Sequence, residues 1–109
     1  MQRSFEDSDD GIVALARQGK DALRRASALA LRRYFRDLYA HVKARIPEDE
    51  TAVQDVLQEV ALAVVSDLPR VKSGGALRSW LLQIASHKVC DHLRRKRRDA
   101  ARFRRHARL

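Results

Sequence analysis

The sequence is poor in the residues that mark several protein classes. It has one cysteine, four glycines and two prolines among 109 residues, and aromatic residues make up 6%. A single cysteine, Cys90, excludes an internal disulfide, and so little glycine and proline excludes fibrous and low-complexity chains. The longest apolar run, Val60 to Val65, has six residues, too few to span a membrane, and no secretory signal is visible. We therefore expect a cytoplasmic protein with no membrane insertion.

Positive charge is abundant and unevenly placed. The net charge is +9, and residues 76–109 carry eleven Lys or Arg side chains against two acidic ones. Residues 46–69 carry six acidic side chains and no Lys or Arg. A basic end on a small domain predicts a polyanionic partner, usually nucleic acid. A solvated tail or a targeting segment is the alternative.

Helical periodicity predicts an all-α fold, a small bundle of about four helices. No segment alternates convincingly as a strand, and Thr51 to Gln54 resembles a capping box at the start of the third helix. Gly19 ends the first helix, Pro47 stops the second and Pro69 follows the third. The four helices are expected over about residues 9–18, 21–45, 51–67 and 76 to beyond 98.

The second predicted helix has an apolar stripe, and the third has two unlike faces. The stripe of the second is Leu31, Tyr34, Phe35, Leu38 and Val42. Val53, Val56, Leu57, Val60 and Val64 cluster on one side of the third helix, and Asp55, Gln58, Glu59 and Leu62 lie opposite. A polar face is often only solvated, but Leu62 among carboxylates and an amide favours a partner surface.

The fourth predicted helix changes from apolar to basic along one side. It begins with Leu77, Trp80, Leu81, Ile84 and Ala85, and the same side continues with His87, Lys88, Asp91, Arg94 and Arg95. Such a helix can pack on a bundle and extend over a phosphate backbone. Trp80 is interpreted as a core residue, with a stacking platform for an unpaired base as the alternative.

Enzyme and metal chemistry find little support in the residues. His87, Cys90 and Asp91 have a metal-compatible spacing, but the neighbouring cations would repel a metal ion. Ser73, Gly74 and Gly75 lack the spacing and the lysine of a phosphate-binding loop, and they are interpreted as a flexible turn. Cys90 is interpreted as a small packing residue. We expect no enzyme activity, no cofactor and no metal.

Two segments together resemble a known family. Asp55 to Val60 reads D-V-L-Q-E-V and resembles the D-x-x-Q-E-V helix of bacterial RNA polymerase sigma factors. Ser79 to Arg95 resembles the W-L-Y-x-I-A-R-N-x-x-x-D-x-x-R-R helix that follows it, and the loop between the two has the expected length. With the segment from Tyr34 to Tyr39, the resemblance covers about residues 10–98. The match is to the extracytoplasmic-function (ECF) type.

The resemblance implies a sigma region 2 domain and its functions. The first motif would dock on the clamp helices of the polymerase β′ subunit, so the implied polymerase-binding residues are Asp55, Gln58, Glu59 and Leu62. The loop over residues 70–75 and the following helix would bind the non-template strand of the promoter −10 element and help to open it. The implied DNA-binding residues are Arg70, Lys72, Ser73, Arg78, Trp80, His87, Lys88, Asp91, Arg94 and Arg95. An anti-sigma factor that covers the polymerase-binding surface is a further implied partner.

The sequence departs from the family pattern at several positions. Leu82 replaces a tyrosine, Ser86 an arginine, His87 an asparagine, and Ala61 the aromatic expected after the Q-E-V triplet. His87 lies where promoter bases are contacted, so a −10 sequence preference does not carry over. We expect an arm over residues 1–8, a region 2 domain over residues 9–98 and a basic tail over residues 99–109. That tail would be the start of a linker to a second domain that reads the −35 element. This second domain is absent here, so we expect the chain to be either a fragment or a natural single-domain relative.

The sequence thus predicts a sigma factor domain rather than an enzyme. One alternative is a sigma-like interaction module or regulator that binds polymerase or an anti-sigma protein without reading DNA. The basic helix after Trp80 argues against it, because such a module would not need that helix. A second alternative is a generic basic nucleic-acid-binding bundle, which would leave the face with Asp55, Gln58 and Glu59 without a role.

Overall fold

The computed structural model describes residues 8–107 and confirms the all-α fold. Within this range the chain forms five α-helices and two short 3-10 helices, with no strand. The α-helices are α1 (Asp9–Leu15), α2 (Lys20–Arg33), α3 (Phe35–Arg45), α4 (Glu50–Asp67) and α5 (Leu77–Ala107). The 3-10 helices, Leu68–Arg70 and Gly74–Ala76, lie in the loop between α4 and α5.

The first helix begins where the predicted N-terminal arm was expected to end. The arm lies outside the described residues except for Ser8, whose hydroxyl accepts a hydrogen bond of 3.0 Å from the amide of Gly11. Ser8 is therefore the N-cap of α1, and Asp9 and Asp10 in the first turn place negative charge at the positive helix end.

The second predicted helix is two helices, so the expectation of one helix over residues 21–45 is wrong. The break lies at Tyr34, whose φ of −108° and ψ of 15° interrupt the helical backbone. The Tyr34 hydroxyl donates a hydrogen bond to Asp9 of α1, and Arg33 Nε lies 3.1 Å from Asp9 Oδ1. Because the chain is held at this point by contacts with α1, the helix breaks without a glycine or a proline.

The start of α4 also differs from the predicted capping box. Asp49 is the N-cap, and its carboxylate accepts a hydrogen bond of 3.0 Å from the amide of Ala52. Asp49 supplies the cap two residues before Thr51, so the first helical residue is Glu50. The other end is as expected, because α4 stops at Asp67, before Pro69.

The core collects the apolar stripes of all five helices. On α4, the residues Val53, Val56, Val60 and Val64 are buried, as the periodicity predicts, whereas Leu57 is half-buried. The first half of α5 packs on α3 and α4 through Leu77, Leu81, Ala85 and Val89. No residue of α5 from Cys90 to Ala107 is buried, so the second half of this helix extends from the bundle.

The extension gives the molecule an elongated shape, 66 Å by 25 Å by 19 Å. A helix of 31 residues is about 46 Å long at a rise of about 1.5 Å per residue. The described part of the predicted basic tail, residues 99–107, is the end of this helix. No helix within residues 8–107 is long and apolar enough to cross a membrane.

Candidate protein-binding and nucleic-acid-binding surfaces

The outer face of α4 carries the first set of predicted site residues. Asp55 and Gln58 are exposed, Glu59 is half-buried, and Leu62 is 72% exposed. One turn further on, Val65 is 39% exposed. Four of these residues follow the predicted pattern, and Val65 extends the face beyond it. An apolar pair among polar groups is suited to contact with another protein.

A charged groove runs along the α5 side of this face. Its volume is about 590 Å³, and it separates α4 from the second half of α5. The Arg95 guanidinium crosses it, with Nη2 3.2 Å from Glu59 Oε2. The groove is lined by Asp49, Asp55, Val56, Gln58, Glu59, Leu62, His92, Arg95, Lys96 and Asp99.

An apolar groove of about 210 Å³ runs along the other side of α4. Phe35 stands at its edge and is 51% exposed, so this member of the predicted apolar stripe lies outside the core. The small side chain of Ala61 also lines this groove. It is lined by Leu31, Phe35, Leu38, Gln54, Leu57, Gln58, Val60 and Ala61. Gln58 lines both grooves and so marks the crest between them.

The loop between α4 and α5 presents the predicted residues Arg70, Lys72 and Ser73 to solvent. The Arg70 guanidinium lies 3.9 Å from the Asp67 carboxylate, and its side chain is 85% exposed. Val71, which lies between Arg70 and Lys72, is buried and so fixes the loop to the bundle.

Two residues of the first helical region hold this loop, and sequence reasoning missed both. Arg17 donates hydrogen bonds to the carbonyl oxygens of Val71, at 2.6 Å, and Pro69, at 3.2 Å. The carboxylate of Asp10 accepts a hydrogen bond of 2.9 Å from the amide of Gly74. The turn expected to be flexible therefore has its backbone bonded to the region around α1. Both partners are more than fifty residues away in sequence, so no local signal could have found them.

The first turns of α5 place the next predicted residues in different surroundings. Arg78 is bonded to Asp37 of α3, with Nε 3.0 Å from the carboxylate, and its side chain is 57% exposed. Trp80 is half-buried and packs against the core, as interpreted from composition. His87 is exposed.

Ser86, which replaces the arginine of the family pattern, has a partner on another helix. Its hydroxyl lies 2.8 Å from His41 Nε2 of α3. Burial and the charge of Arg45 lower the pKa of His41, so the neutral imidazole that bonds this hydroxyl is favoured. Ser86 thus serves the contact between α3 and α5.

The basic side of α5 divides into two groups. Asp91 and Arg94 are exposed on the same side as His87, and their charged groups lie 3.8 Å apart. Lys88 is half-buried, and Arg95 turns to α4 and Glu59. The hydrogen bond to Glu59 raises the pKa of Arg95. The structure thus places three of the five residues predicted to follow DNA, His87, Asp91 and Arg94, on one exposed side of the helix, and it brings Arg95 to Glu59.

Cys90 is exposed, so the interpretation of Cys90 as a packing residue is wrong. No group of three or more His, Cys, Asp or Glu side chains within residues 8–107 is placed to hold a metal ion.

Comparison with known proteins matches most of the chain. A family model described as sigma-70 region 2 matches residues 30–99. Over 89 residues the chain is 30% identical to a probable RNA polymerase sigma-C factor of Mycobacterium bovis and to the ECF RNA polymerase sigma factor SigC of Mycobacterium tuberculosis. Each alignment covers 82% of this chain and 47% of the relative, so the chain spans about half the length of the curated relatives it matches. No solved structure matches the chain significantly.

Proposed function

This chain belongs to the sigma-70 region 2 family, and on that premise we propose that it binds core RNA polymerase and recognises and helps to open the promoter −10 element. The chemistry of transcription belongs to the polymerase, and the domain itself acts only by binding, in the cytoplasm. Residues 9–98 form the region 2 domain in this proposal, and the basic residues 99–109 follow it.

The observation that carries the proposal is that two chemically opposite surfaces lie on separate helices of one small bundle. The outer face of α4 is acidic and apolar, through Asp55, Glu59 and Leu62. The loop after α4 and the exposed side of α5 are basic. A protein that bridges a polymerase and a promoter needs both surfaces. An acidic surface is suited to a cationic surface of the polymerase, and a basic surface is suited to the phosphate backbone of DNA.

On the α4 surface, Asp55, Gln58, Glu59 and Leu62 are the proposed contacts with the β′ subunit. The apolar groove beside Phe35 supports this assignment, because it gives a docking helix a place for an apolar side chain next to the charged contacts. An anti-sigma factor would compete for the same exposed apolar and acidic groups.

On the DNA surface, the roles follow from each residue's exposure and partners. Arg70, Lys72 and Ser73 are exposed on a loop whose backbone is fixed, which suits the capture of an unpaired base. His87 is exposed on the helix behind it. Arg78 is paired with Asp37, Arg94 with Asp91 and Arg95 with Glu59, and DNA binding would have to compete with these ion pairs or include them. Lys88 and Trp80 are half-buried and are proposed to act at the edge of this surface.

The test is recovery of core polymerase with a double variant, Asp55→Lys with Glu59→Lys. Breaking close interfacial charge pairs should reduce polymerase binding by about 2 kcal/mol or more. A matched control is Asp21→Lys with Glu48→Lys, which reverses two exposed acids away from the outer face of α4. Circular dichroism should show both variants folded.

Three outcomes are informative. Loss of polymerase from the first variant only supports the assignment. Wild-type recovery with that variant overturns it. Polymerase binding together with no binding to single-stranded −10 DNA would identify a sigma-like regulator instead.

A further inference from the structure

Arg17 holds the loop between α4 and α5 from more than fifty residues away in the sequence. Its Nε donates a hydrogen bond of 3.2 Å to the carbonyl oxygen of Pro69, and its Nη2 donates one of 2.6 Å to that of Val71. These two carbonyls flank Arg70, whose side chain is exposed. One planar guanidinium therefore fixes the backbone on both sides of a solvent-facing basic residue, which needs two donors in a rigid fork.

The hydrogen bonds of Arg17 leave its positive charge uncompensated. Both acceptors are neutral carbonyl oxygens, and within residues 8–107 no carboxylate forms an ion pair with this guanidinium. An acidic partner would have cancelled a positive charge beside Arg70 and Lys72. The loop is thus fixed while its surroundings stay basic, which suits a polyanionic ligand.

A second anchor of opposite charge holds the other end of the loop. The Asp10 carboxylate accepts a hydrogen bond of 2.9 Å from the amide of Gly74. Between the two anchors, Lys72 and Ser73 are exposed. Both anchoring side chains lie outside residues 30–99, the part of the chain that the family model matches. Membership of the family therefore assigns no role to them.

The position of the Arg17 hydrogen bonds favours a role in binding over a role in stability alone. Val71 is buried and already attaches the loop to the core. Arg17 itself is exposed, and the backbone that it holds carries Arg70, which faces solvent. Side chains on a mobile loop lose conformational freedom when they bind a ligand, and a loop that is already fixed avoids much of that loss.

We propose that Arg17 is a positioning residue for the capture of an unpaired base by the loop over residues 70–73. It acts through the carbonyls of Pro69 and Val71, which hold the loop in its binding conformation before DNA arrives, and it touches neither base nor phosphate. The inference rests on the proposed function, because that function places an unpaired base at this loop.

The experiment measures the capture of a base separately from contacts with phosphates. The probes are a labelled single-stranded −10 oligonucleotide and the same strand with one abasic nucleotide, moved position by position. An abasic nucleotide keeps every phosphate and removes one base, so the loss of affinity at a single position, the abasic penalty, reports the captured base. Fluorescence anisotropy with the complete chain gives the affinities at several salt concentrations.

Two variants of Arg17 separate geometry from charge. Arg17→Lys keeps the positive charge and loses the planar pair of donors, whereas Arg17→Gln loses both. Arg24→Gln is the matched control, because it removes the same charge from an exposed arginine of the neighbouring helix α2. Urea unfolding shows whether each variant is folded under the conditions of the binding measurement.

The wild-type chain should lose about ten-fold in affinity when the captured base is removed, which is within the range for one base contact. Both Arg17 variants should reduce this abasic penalty to about two-fold or less, because part of the base's binding energy would then be spent on ordering the loop. Their log–log salt slopes should match that of the wild-type chain, and Arg24→Gln should keep the full penalty. A role in stability alone would lower the urea midpoint and leave the penalty unchanged.

A full abasic penalty in Arg17→Gln would overturn the proposal. A full penalty in Arg17→Lys with a lost penalty in Arg17→Gln would overturn it as well, because charge without the fork would then be sufficient. A salt slope flatter by about 0.7 in Arg17→Gln would also contradict it, since Arg17 would then contact a phosphate directly. Failure of the proposed function is distinguishable, because it would show as no abasic penalty at any position in the wild-type chain.

Discussion

Glu59 of α4 and Arg95 of α5 form a two-pronged ion pair, with both guanidinium Nη atoms 3.3 Å from Oε1 and Nη2 3.2 Å from Oε2. The pair joins a residue assigned to polymerase binding with one assigned to DNA binding. While the pair is formed, each group has part of its hydrogen-bonding capacity taken up by the other. The side chains are 34% and 50% exposed, so the pair is expected to stabilise the fold by less than about 1 kcal/mol.

The first prediction is that Glu59→Gln strengthens binding to single-stranded DNA. Removal of the carboxylate frees Arg95 to contact a phosphate. The DNA no longer has to compete with an exposed ion pair, and the free energy of such a pair corresponds to a gain in DNA affinity of about two- to five-fold. The log–log salt slope should steepen by about 0.7, the value for one added contact on a single strand. Fluorescence anisotropy at several salt concentrations measures both quantities.

Asp55→Asn is the matched control for this prediction, because it removes one negative charge from the same helix without opening the pair. It should raise affinity less and leave the slope nearly unchanged. The double variant Glu59→Gln with Arg95→Gln should lose the gain. Equal effects of Asp55→Asn and Glu59→Gln would mean that only long-range charge is involved.

The second prediction concerns the apolar groove. Phe35→Ala should weaken binding to core polymerase by about 1–2 kcal/mol, as truncation of an aromatic interface contact does. Stability should change little, because half of the side chain is already exposed. Affinity for core polymerase, measured by biolayer interferometry, and the urea midpoint separate the two effects.

Phe103→Ala provides the comparison, because Phe103 is 75% exposed on α5 and away from the groove. It should leave polymerase binding unchanged. If Phe35→Ala binds as well as Phe103→Ala, the groove lies outside the polymerase contact.

Much of this architecture could be predicted from local sequence. The buried side of α4 follows from valines three and four positions apart, and its outer polar face follows from the same periodicity. Such a pattern is visible because the helix itself brings those side chains together. Asp67 ends α4 where Pro69 indicates that it should.

Features that depend on distant contacts could not be predicted. The break at Tyr34 depends on Asp9, 25 residues earlier, and the pair of Arg95 depends on Glu59, 36 residues earlier. Phe35 falls in the apolar stripe of its own helix, but the position of α4 leaves it at the edge of the apolar groove. A helical pattern gives the direction of a side chain on its own helix and says nothing about which helix lies opposite.

The third prediction is a pH dependence at the junction of α3 and α4. Glu50 accepts hydrogen bonds from Lys43 at 2.8 Å, from Gln54 at 3.0 Å and from Tyr39 at 2.9 Å. These contacts, with that of Lys43 the largest, lower the pKa of Glu50 from 4.5 to about 2. The unfolded chain therefore binds more protons between these values, so the contribution of Glu50 to stability is present above pH 4.5 and is lost as the pH falls toward 2.

Urea unfolding of the wild-type chain and of Glu50→Gln at several pH values measures this contribution. The difference between the two midpoints should be constant from neutral pH down to about 4.5 and should shrink toward zero near pH 2. Glu48→Gln, at an exposed acid two residues earlier, should show a smaller difference from neutral pH down to about 4.5. A midpoint difference for Glu50→Gln that does not change with pH would show that the charge of Glu50 is not involved.

The last prediction tests how the loop between α4 and α5 is held. A Cβ on Gly74 would lie 2.6 Å from the carbonyl carbon of Asp9 and would also contact the amide nitrogen of Asp10, both of which are backbone atoms. Gly74→Ala must therefore push α1 away from the loop, at a cost of about 1–3 kcal/mol, and it should weaken the hydrogen bond to Asp10.

Gly75→Ala is the matched control, because its Cβ would meet only the Ser73 hydroxyl, at 3.8 Å. Urea unfolding should show a loss of stability for Gly74→Ala alone, and binding to single-stranded −10 DNA should fall for the same variant, because the loop can no longer keep its position beside α5. Equal stability of the two variants would mean that α1 does not pack on Gly74 as described, and the loop with Arg70, Lys72 and Ser73 would then be held only by Arg17 and buried Val71.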